Sequence, residues 1–167
     1  HQAPHERGFL FVGSGLDSFM SKLNVRIGEY DNHDWESICH IHDEARPGEL
    51  DENVPVEAFI PLVDSAENEG LFDGQILVAE IEKVVGFIAF EQSEITWLYV
   101  HPKFQLRGIG RQLLKFALSK IKSPVEVSVL SNNNAAIKLY KKEGFVICET
   151  KKGKLVGNEK FNAEGHI

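Results

Sequence analysis

Two closely spaced glycines, Gly108 and Gly110, separate an apolar run at residues 95–100 from a segment with apolar residues at helical spacing. Glycine adopts positive φ at little steric cost, so the backbone can turn tightly here and approach a ligand closely. The N–H groups that open the following helix point the same way, with the positive end of the helix dipole behind them. The sequence therefore predicts a strand, a glycine turn and a helix whose start favours an anion.

A Gly-x-Gly pattern is also typical of a strand-to-helix turn that binds nothing. Two observations exclude the common nucleotide motifs. The third glycine of the dinucleotide fingerprint would fall at Leu113, and the Gly-Lys-Ser/Thr of a P-loop is absent. If phosphates bind at this turn, they belong to a different ligand.

The 167 residues suffice for one domain with a substantial core. Cys39 and Cys148 have neither CxxC nor zinc spacing, so we expect free, buried thiols in a reduced compartment. No apolar run approaches the roughly 20 residues of a membrane span, so we expect a cytoplasmic protein without a membrane partner. Met20 is the only methionine. We therefore expect residues 1–19 to be an extension, vector-derived or upstream of the native start, and residues 20–167 to form the single domain.

The net charge of −7 is unevenly distributed. Residues 29–69 contain 13 acidic residues against Arg46 alone, and residues 101–154 contain 12 Lys or Arg against three Glu. Such runs are typical of solvated helix surfaces, but this polarity also predicts an acidic side that attracts a cation and a basic side that attracts phosphates. The acidic total argues against a nucleic-acid partner.

Residue periodicity predicts the order of the secondary structure. Strands, marked by alternation and β-branched residues, are predicted at residues 23–29, 75–81, 84–92, 95–100, 125–130, 145–149 and around Leu155. Helices are predicted from a cap at Asp31 or Asn32 to Pro47-Gly48, from Pro55 through Ala66, over residues 108–120, and from a cap at Ser131 or Asn132 to about Glu143. Pro61 predicts that the second helix is short or broken, and Lys152-Gly153 predicts a turn. This order indicates an α/β (α+β) fold with a mixed sheet covered on both faces.

The chain resembles the GNAT superfamily of CoA-dependent N-acetyltransferases over roughly residues 23–160. Three segments carry the resemblance: Ile95-Thr-Trp-Leu-Tyr-Val-His-Pro102, then Gln105-x-x-Gly108-x-Gly110, then Asn133-x-x-Ala136-x-x-x-Tyr140-x-x-x-Gly144-Phe145. The resemblance implies a six- to seven-stranded mixed, mostly antiparallel sheet with four helices on both faces. Dimers are common in the family, so a homodimer stays an open alternative.

The resemblance also implies acetyl-CoA as co-substrate, bound between splayed strands at residues 95–100 and 125–130. Its pyrophosphate is expected on the N–H groups of residues 106–111, and its pantetheine arm on the backbone near Leu98 and Val100. Gln105 stands where Arg is frequent in the family. Asn133 matches a residue that holds the pantetheine region, or it caps a helix. The implied cofactor-binding residues are Leu98, Tyr99, Val100, Gln105, Leu106, Arg107, Gly108, Ile109, Gly110, Arg111, Asn133, Ala136 and Tyr140.

Acetyl transfer to an amine requires a proton acceptor for the amine and a proton donor for the leaving thiolate. Tyr140 matches the family tyrosine that lies near the CoA sulfur, so the resemblance implies a general acid there. Glu94 matches the position of a catalytic glutamate in some members, and by alternation it is expected to share a face with Thr96 and Leu98. Glu91, Glu80 and His101 are weaker alternatives, and a water chain with no single base is an open alternative to Glu94. No metal is expected, because His40 and His42 diverge by about 200° on a helix.

These inferences predict an N-acetyltransferase that moves the acetyl group of acetyl-CoA to the primary amine of a cationic small molecule by direct attack in a ternary complex. One alternative is a protein acetyltransferase for a lysine or an N-terminal amine, which needs an open groove. Another is a CoA-binding module without turnover. The sequence leaves the acceptor undetermined, because no motif marks the N-terminal helices and loops that would bind it.

Overall fold

The computed structural model of the protein describes residues 23–50, 54–122 and 124–167. The expected extension at residues 1–19 and the acidic residues Asp51 and Glu52 lie outside this part. The strands are β1 (Arg26–Glu29), β2 (Gln75–Glu80), β3 (Val84–Phe90), β4 (Glu94–Val100), β5 (Glu126–Val127), β6 (Val129–Leu130), β7 (Thr150–Leu155) and β8 (Asn158–His166). The α-helices are α1 (Trp35–Ala45), α2 (Leu62–Ser65), α3 (Ile109–Lys120) and α4 (Asn134–Lys142), and short 3₁₀ turns include Arg46–Glu49 and Val56–Ala58.

The strands form two sheets. A five-stranded sheet has the order β1-β2-β3-β4-β5, antiparallel except for the parallel pair β4 and β5. A three-stranded antiparallel sheet has the order β6-β8-β7. The mixed, mostly antiparallel pairing with four α-helices in the described residues confirms the predicted fold class. The predicted single strand at residues 125–130 is divided at Ser128, and its two halves join different sheets.

Buried side chains form one core on each face of the five-stranded sheet. On one face α3 and α4 cover a cluster that includes Ile88, Leu113 and Tyr140. On the other face α1 and α2 cover a cluster that includes Ile38, Leu62 and Phe87. Strands whose residues alternate between two apolar clusters must be apolar throughout. This explains the nearly continuous apolar sequences of β2 and β3.

The strands β4 and β5 separate soon after they meet. Their ladder consists of the pairs Glu94↔Glu126 and Ile95↔Val127, after which Val129 and Leu130 pair with β8 in the other sheet. A wedge therefore opens beside the second half of β4. Such divergence leaves strand backbone available to an added ligand.

A register shift in the β3–β4 ladder lies beside this wedge. Ala89 pairs with Trp97, but the next residue of β3, Phe90, pairs with Ile95, so Thr96 is an extra residue of the kind found in a β-bulge. Ile95 and Leu98 consequently belong to the same core cluster. The prediction that Glu94 shares a face with Leu98 is wrong, because the bulge reverses the alternation between them.

Prolines and glycines divide the helical segments. The second predicted helix is broken by Pro61 into a 3₁₀ turn and α2, as expected for a residue that cannot donate its N–H. The helix α1 ends at Ala45, two residues before the predicted stop at Pro47-Gly48, and a 3₁₀ turn over Arg46–Glu49 follows it. The predicted helix at residues 108–120 is α3, with Gly108 as its N-cap. The cap of α4 is Asn133, which confirms the capping role considered for it, although periodicity placed the cap at Ser131 or Asn132; its side chain accepts a hydrogen bond from the Ala136 N–H at 3.1 Å.

The C-terminal region differs most from the prediction. Residues 145–149, predicted as a strand, precede β7, and Val146 is 74% exposed. The predicted turn at Lys152-Gly153 lies inside β7, whereas the chain turns at Gly157, where φ is 82°. The last strand is β8 and not a segment around Leu155. Alternation of apolar residues was misleading here, because the bounds of β7 are determined by its pairing with β8. The sequence of β8 is mostly polar and carries little alternation.

Both cysteines are free thiols. Cys39 is partly buried on α1, whereas Cys148 is exposed in the segment before β7. The expectation of two buried thiols is therefore wrong for Cys148.

Candidate active site

A cavity of about 830 Å³ occupies the wedge between β4 and β6. Its walls come from the end of α1 with the turn after it, from β4 and β6, from α4, and from the β7–β8 hairpin. Among the residues named from the sequence, Glu94, Leu98, Tyr99, Asn133, Ala136 and Tyr140 line it. The structure thus brings two segments, distant in sequence, to one cavity, whereas Val100 and residues 105–111 do not line it.

The glycine turn lies where β4 leads into α3. Leu106 and Gly108 both have positive φ, 60° and 81°, and Leu106 is 93% exposed. The Gln105 side chain donates a hydrogen bond from Nε2 to the Val100 carbonyl at 2.9 Å, which ties the turn to the end of β4. A leucine in this conformation is strained. Strain at a tight turn before a helix suits a segment whose backbone must face a ligand.

The first turn of α3 offers backbone N–H groups. Its first helical hydrogen bond runs from the Gln112 N–H to the Gly108 carbonyl, so the N–H groups of Ile109, Gly110 and Arg111 precede the helical ladder. A Cβ at Gly110 would lie 3.6 Å from Leu139 and 3.7 Å from Val100, which shows how closely this turn packs between β4 and α4. The Arg111 side chain pairs with Glu143 at the end of α4. Together these contacts fix the direction of the helix start.

Tyr140 lies on α4 with only 7% of its surface exposed. It shares one side of the helix with Asn133 and Ala136, which are seven and four residues earlier, and its ring contacts Phe145 at 5.4 Å between centroids. Burial, followed by the nearby Glu49 carboxylate, raises the pKa of Tyr140. Its hydroxyl is therefore protonated at neutral pH and can donate a proton.

Glu49, in the turn after α1, joins the two sides of the cavity. Its Oε2 accepts from Arg46 Nη1 at 2.6 Å and from the Tyr99 hydroxyl at 3.2 Å. Its Oε1 accepts from Asn133 Nδ2 at 3.1 Å. Sequence reasoning placed Glu49 only among the acidic residues of the first half. The one local signal was Arg46 three residues earlier, since Tyr99 and Asn133 are too far along the chain to be associated with it.

His42 is a second cavity residue that the sequence did not assign. It is buried on α1, and its Nδ1 lies 2.8 Å from Asp43 Oδ1. The same Asp43 oxygen accepts the Leu62 N–H at 2.9 Å. Burial lowers the pKa of His42, against the opposing effect of Asp43. His40 lies instead beside His101, with 5.3 Å between ring centroids, so the two histidines face different neighbours.

Glu94 lies at the outer end of the cavity, at the start of β4, and is exposed. Burial of part of its carboxyl raises its pKa, and the carboxylates of Glu91 and Glu126 add to the effect. It is thus one of three neighbouring acidic groups, of which Glu91 and Glu94 line the cavity. Glu49 and His42 lie on the opposite wall, near Tyr99.

The β7–β8 hairpin covers the cavity beside the segment between α1 and α2 and the loop after α2; this side is called the acceptor side below, because an acceptor is proposed to bind there. Leu155 packs with Val54 and Ala58 from the segment between α1 and α2, and Asn158 Nδ2 donates to the Ala58 carbonyl at 3.1 Å. A Cβ at Gly157 would clash with the Glu69 carboxylate, so the tip of the hairpin is packed tightly on the loop after α2. Both loops meet over the cavity.

Residues 72–147 match the acetyltransferase (GNAT) domain family. Solved structures similar to this chain include a GCN5-related N-acetyltransferase from Rhodopseudomonas palustris, with 21% identity, a TM-score of 0.66 and coverage of 90% of this chain and 97% of the other. They also include ribosomal-protein-S18-alanine N-acetyltransferase from Escherichia coli, with 18% identity, a TM-score of 0.63 and coverage of 85% of this chain and 90% of the other. A third is yncA from Salmonella typhimurium, solved with its cofactor acetyl-CoA. It has 20% identity, a TM-score of 0.61 and coverage of 85% of this chain and 91% of the other. Residues 72–147 thus match the GNAT domain, and the chain has the fold of these N-acetyltransferases.

The UPF0157 protein YqkA from Bacillus subtilis (strain 168) is 37% identical over 76 residues, which cover 42% of this chain. The chain spans about a fifth of that curated relative, 22% of its length. Within the described residues, no helix is long and apolar enough to cross a membrane. The same part of the chain contains no group of three or more His, Cys, Asp or Glu side chains placed to hold a metal ion.

Proposed function

We propose that the chain transfers the acetyl group of acetyl-CoA to the primary amine of a cationic small molecule by direct attack in a ternary complex. One observation carries the proposal: the buried Tyr140 and the wedge beside β4 face the same cavity, and the start of α3 packs against Val100 at the end of β4. This combination provides a proton donor, a strand edge and backbone N–H groups for one elongated donor molecule.

The donor is recognised largely by backbone in this proposal. The pyrophosphate is bound by N–H groups of residues 106–111, where the turn and the helix start supply positive potential. The pantetheine arm lies along β4 near Leu98 and Val100 in the place of a strand. Asn133 stays a candidate for the pantetheine region, although Ala136 and Glu49 already occupy its amide group.

The chemistry requires an acid and a base. Tyr140 donates a proton to the departing thiolate, and a backbone N–H near Val100 polarises the thioester carbonyl. The sequence offers Glu94 or a water chain for removing a proton from the amine. The exposed position of Glu94, beside Glu91 and Glu126, suits a group that exchanges protons with solvent.

The acceptor is proposed to be small and cationic because of the residues on its side of the cavity. Glu49, Glu69 and Asp73 contribute carboxylates to the walls, and such groups favour an ammonium ion. The β7–β8 hairpin contacts the Val56–Ala58 turn and narrows the opening of the cavity on this side. A narrow opening disfavours a lysine on the surface of a folded protein as the acceptor. The similar Escherichia coli enzyme acetylates a protein alanine, so an N-terminal peptide is included among the acceptors to be tested.

An amine panel tests the proposal. Spermidine, glucosamine, lysine methyl ester and an alanine-initiated peptide are each incubated with acetyl-CoA and the chain, and free CoA is measured with a thiol reagent. We expect transfer to at least one small cationic amine. Transfer to the peptide alone would replace the small-molecule acceptor by an N-terminal one, and acetyl-CoA binding without transfer would support the non-catalytic alternative. The proposal includes a cytoplasmic location and leaves monomer or homodimer to sedimentation measurements.

A further inference from the structure

His42 and Asp43 form an oriented pair at the cavity wall. Asp43 is fixed because its Oδ1 accepts both the Leu62 N–H at the start of α2 and His42 Nδ1. From this contact we assign the proton to Nδ1, which leaves the lone pair of the imidazole on Nε2. The ring lines the cavity, although only 3% of the residue is exposed. Nε2 is therefore the nitrogen that remains for a group entering the cavity.

The surroundings of His42 keep it neutral. Its ring contacts the rings of Tyr99, Trp97 and Phe59 at centroid distances of 4.9, 5.8 and 6.2 Å. This burial is the main cause of its lowered pKa. The charged and titratable groups facing it are Asp43 and Arg46 from its own helix and the following turn, Glu49 from that turn, and Tyr99 from β4. Arg46 is paired with Glu49, so Asp43 is the carboxylate left to stabilise the imidazolium ion.

Glu94 and Glu49 are less suited to accept a proton from the amine. Glu94 is exposed at the far end of β4, beyond the Thr96 bulge. Glu49 lies on the acceptor side, but both of its oxygens already accept hydrogen bonds, one of them from Arg46. Of these three residues, only His42 has a lone pair available on Nε2, a side chain that orients its ring, and a position buried among aromatic rings at the cavity wall.

We infer that His42, oriented by Asp43, is the base that takes a proton from the acceptor ammonium group; this rests on the proposed function. In this step one N–H bond of the ammonium ion breaks, and the proton moves to His42 Nε2 and later to solvent. The neutral nitrogen then forms a bond to the acetyl carbon, and the carbon–sulfur bond breaks. Tyr140 gives its proton to the thiolate, and the second proton lost by the nitrogen restores the Tyr140 hydroxyl, so the acetylated amine, the CoA thiol and one released proton balance the reaction.

Four variants test the assignment with the best amine of the panel: His42→Asn, Asp43→Asn, Glu94→Gln and, as the matched control on the same helix, His40→Asn. Asparagine retains a donor for Asp43 but has no basic nitrogen. We expect His42→Asn to lower kcat/KM about 100-fold at neutral pH and to abolish the acidic limb of the pH profile. Acetyl-CoA affinity by calorimetry should not change. His40→Asn should match the wild type in both measurements.

The pH profile separates catalysis from folding. Activity requires neutral His42, so it should persist below the ordinary histidine pKa of about 6.5 and be lost as pH falls through the lowered value. Asp43 raises the pKa of His42, so Asp43→Asn should move the acidic limb to lower pH. An NMR titration of the wild-type imidazole should give the same midpoint as the kinetic limb, and this measurement holds even if His42→Asn does not fold.

The inference is overturned if His42→Asn keeps the wild-type rate and acidic limb, if Glu94→Gln removes that limb instead, or if the NMR and kinetic midpoints differ. These outcomes leave acetyl transfer by the wild type intact. A wild-type chain that acetylates no amine in the panel would overturn the proposed function, and this inference with it.

Discussion

The proposed donor side and the proposed acceptor side of the site are built in different ways. On the donor side, β4, the glycine turn and α3 follow one another in the chain, and the groups offered to a ligand are mainly backbone N–H groups. On the acceptor side, side chains from α1, the turn after it and the β7–β8 hairpin meet through contacts between distant residues, such as Glu49 with Asn133 and Asn158 with Ala58. The first side is formed by consecutive elements of the chain, and the second depends on tertiary contacts between residues far apart in sequence.

This difference predicts which half tolerates sequence change. A backbone site needs only a permitted conformation, so glycines at a few positions suffice to define it. A side-chain site depends on each participant, so replacing one residue alters what it binds. The donor side therefore indicates a class of protein, whereas the acceptor side determines the individual substrate.

Tyr140→Phe should have the largest effect, because Tyr140 is where the two sides meet. Loss of the hydroxyl removes the proposed general acid, and we expect kcat to fall about 100-fold or more. The calorimetric Kd for acetyl-CoA should stay within twofold. Tyr30→Phe, remote from the cavity, serves as the control. Equal kcat values for Tyr140→Phe and the wild type would remove Tyr140 from the chemistry.

Glu49→Gln should weaken both sides at once. It leaves the Arg46 guanidinium without its charged partner and weakens the bond from Asn133, so we expect about a tenfold fall in kcat/KM for the amine. Hydrogen bonds to charged groups contribute roughly 1.5–3 kcal/mol, and partial exposure reduces this, so thermal unfolding should shift by a few degrees at most. The exposed Glu57→Gln is the matched control. An effect on the amine alone would show that Glu49 does not couple the two sides.

Gly108→Ala should affect only the donor side. A Cβ there meets nothing within 4 Å, so the cost comes from its φ of 81°, roughly 1–2 kcal/mol. We expect the Kd for acetyl-CoA to rise several-fold with an unchanged KM for the amine. Gly144→Ala is the control, because Gly144 has a φ of 94° and equally open space. The two variants should lose similar stability, and only the first should lose CoA affinity.

Asn158→Ala should have the smallest effect, restricted to the acceptor side. It removes the hydrogen bond that attaches the hairpin to the Ala58 carbonyl, a contribution of about 1 kcal/mol. We expect a two- to fivefold rise in the KM for the amine, by ordinary conversion of that energy. Asn162→Ala, which loses only an exposed contact with Lys154, should leave KM unchanged. Equal KM values for both variants would mean that the hairpin does not shape the acceptor side.

The sequence predicted the local parts of this structure well. The helix after Gly108 and the break at Pro61 follow from backbone chemistry within a few residues, so each was foreseeable. The divergence of the strands at residues 95–100 and 125–130 came from the family resemblance, and the structure has it. These elements position the donor side.

The parts that the sequence missed depend on residues far apart. The Thr96 bulge is visible only in the pairing with β3, and it reversed the expected orientation of Glu94. The register of β7 depends on β8, which carries little apolar alternation of its own. The partners of Glu49 lie 50 and 84 residues away, and no periodicity within the chain relates them.

The wedge between β4 and β6 also has a thermodynamic consequence. The chain passes from one sheet to the other at Ser128. A ligand that fills the wedge would therefore contact both sheets and add interactions between them. A ligand at 100 times its Kd raises the free energy of unfolding by about 2.7 kcal/mol. Because the ligand contacts both sheets, part of this added free energy would oppose their separation. Slower amide hydrogen exchange in β8 would then report that a ligand occupies the site on β4.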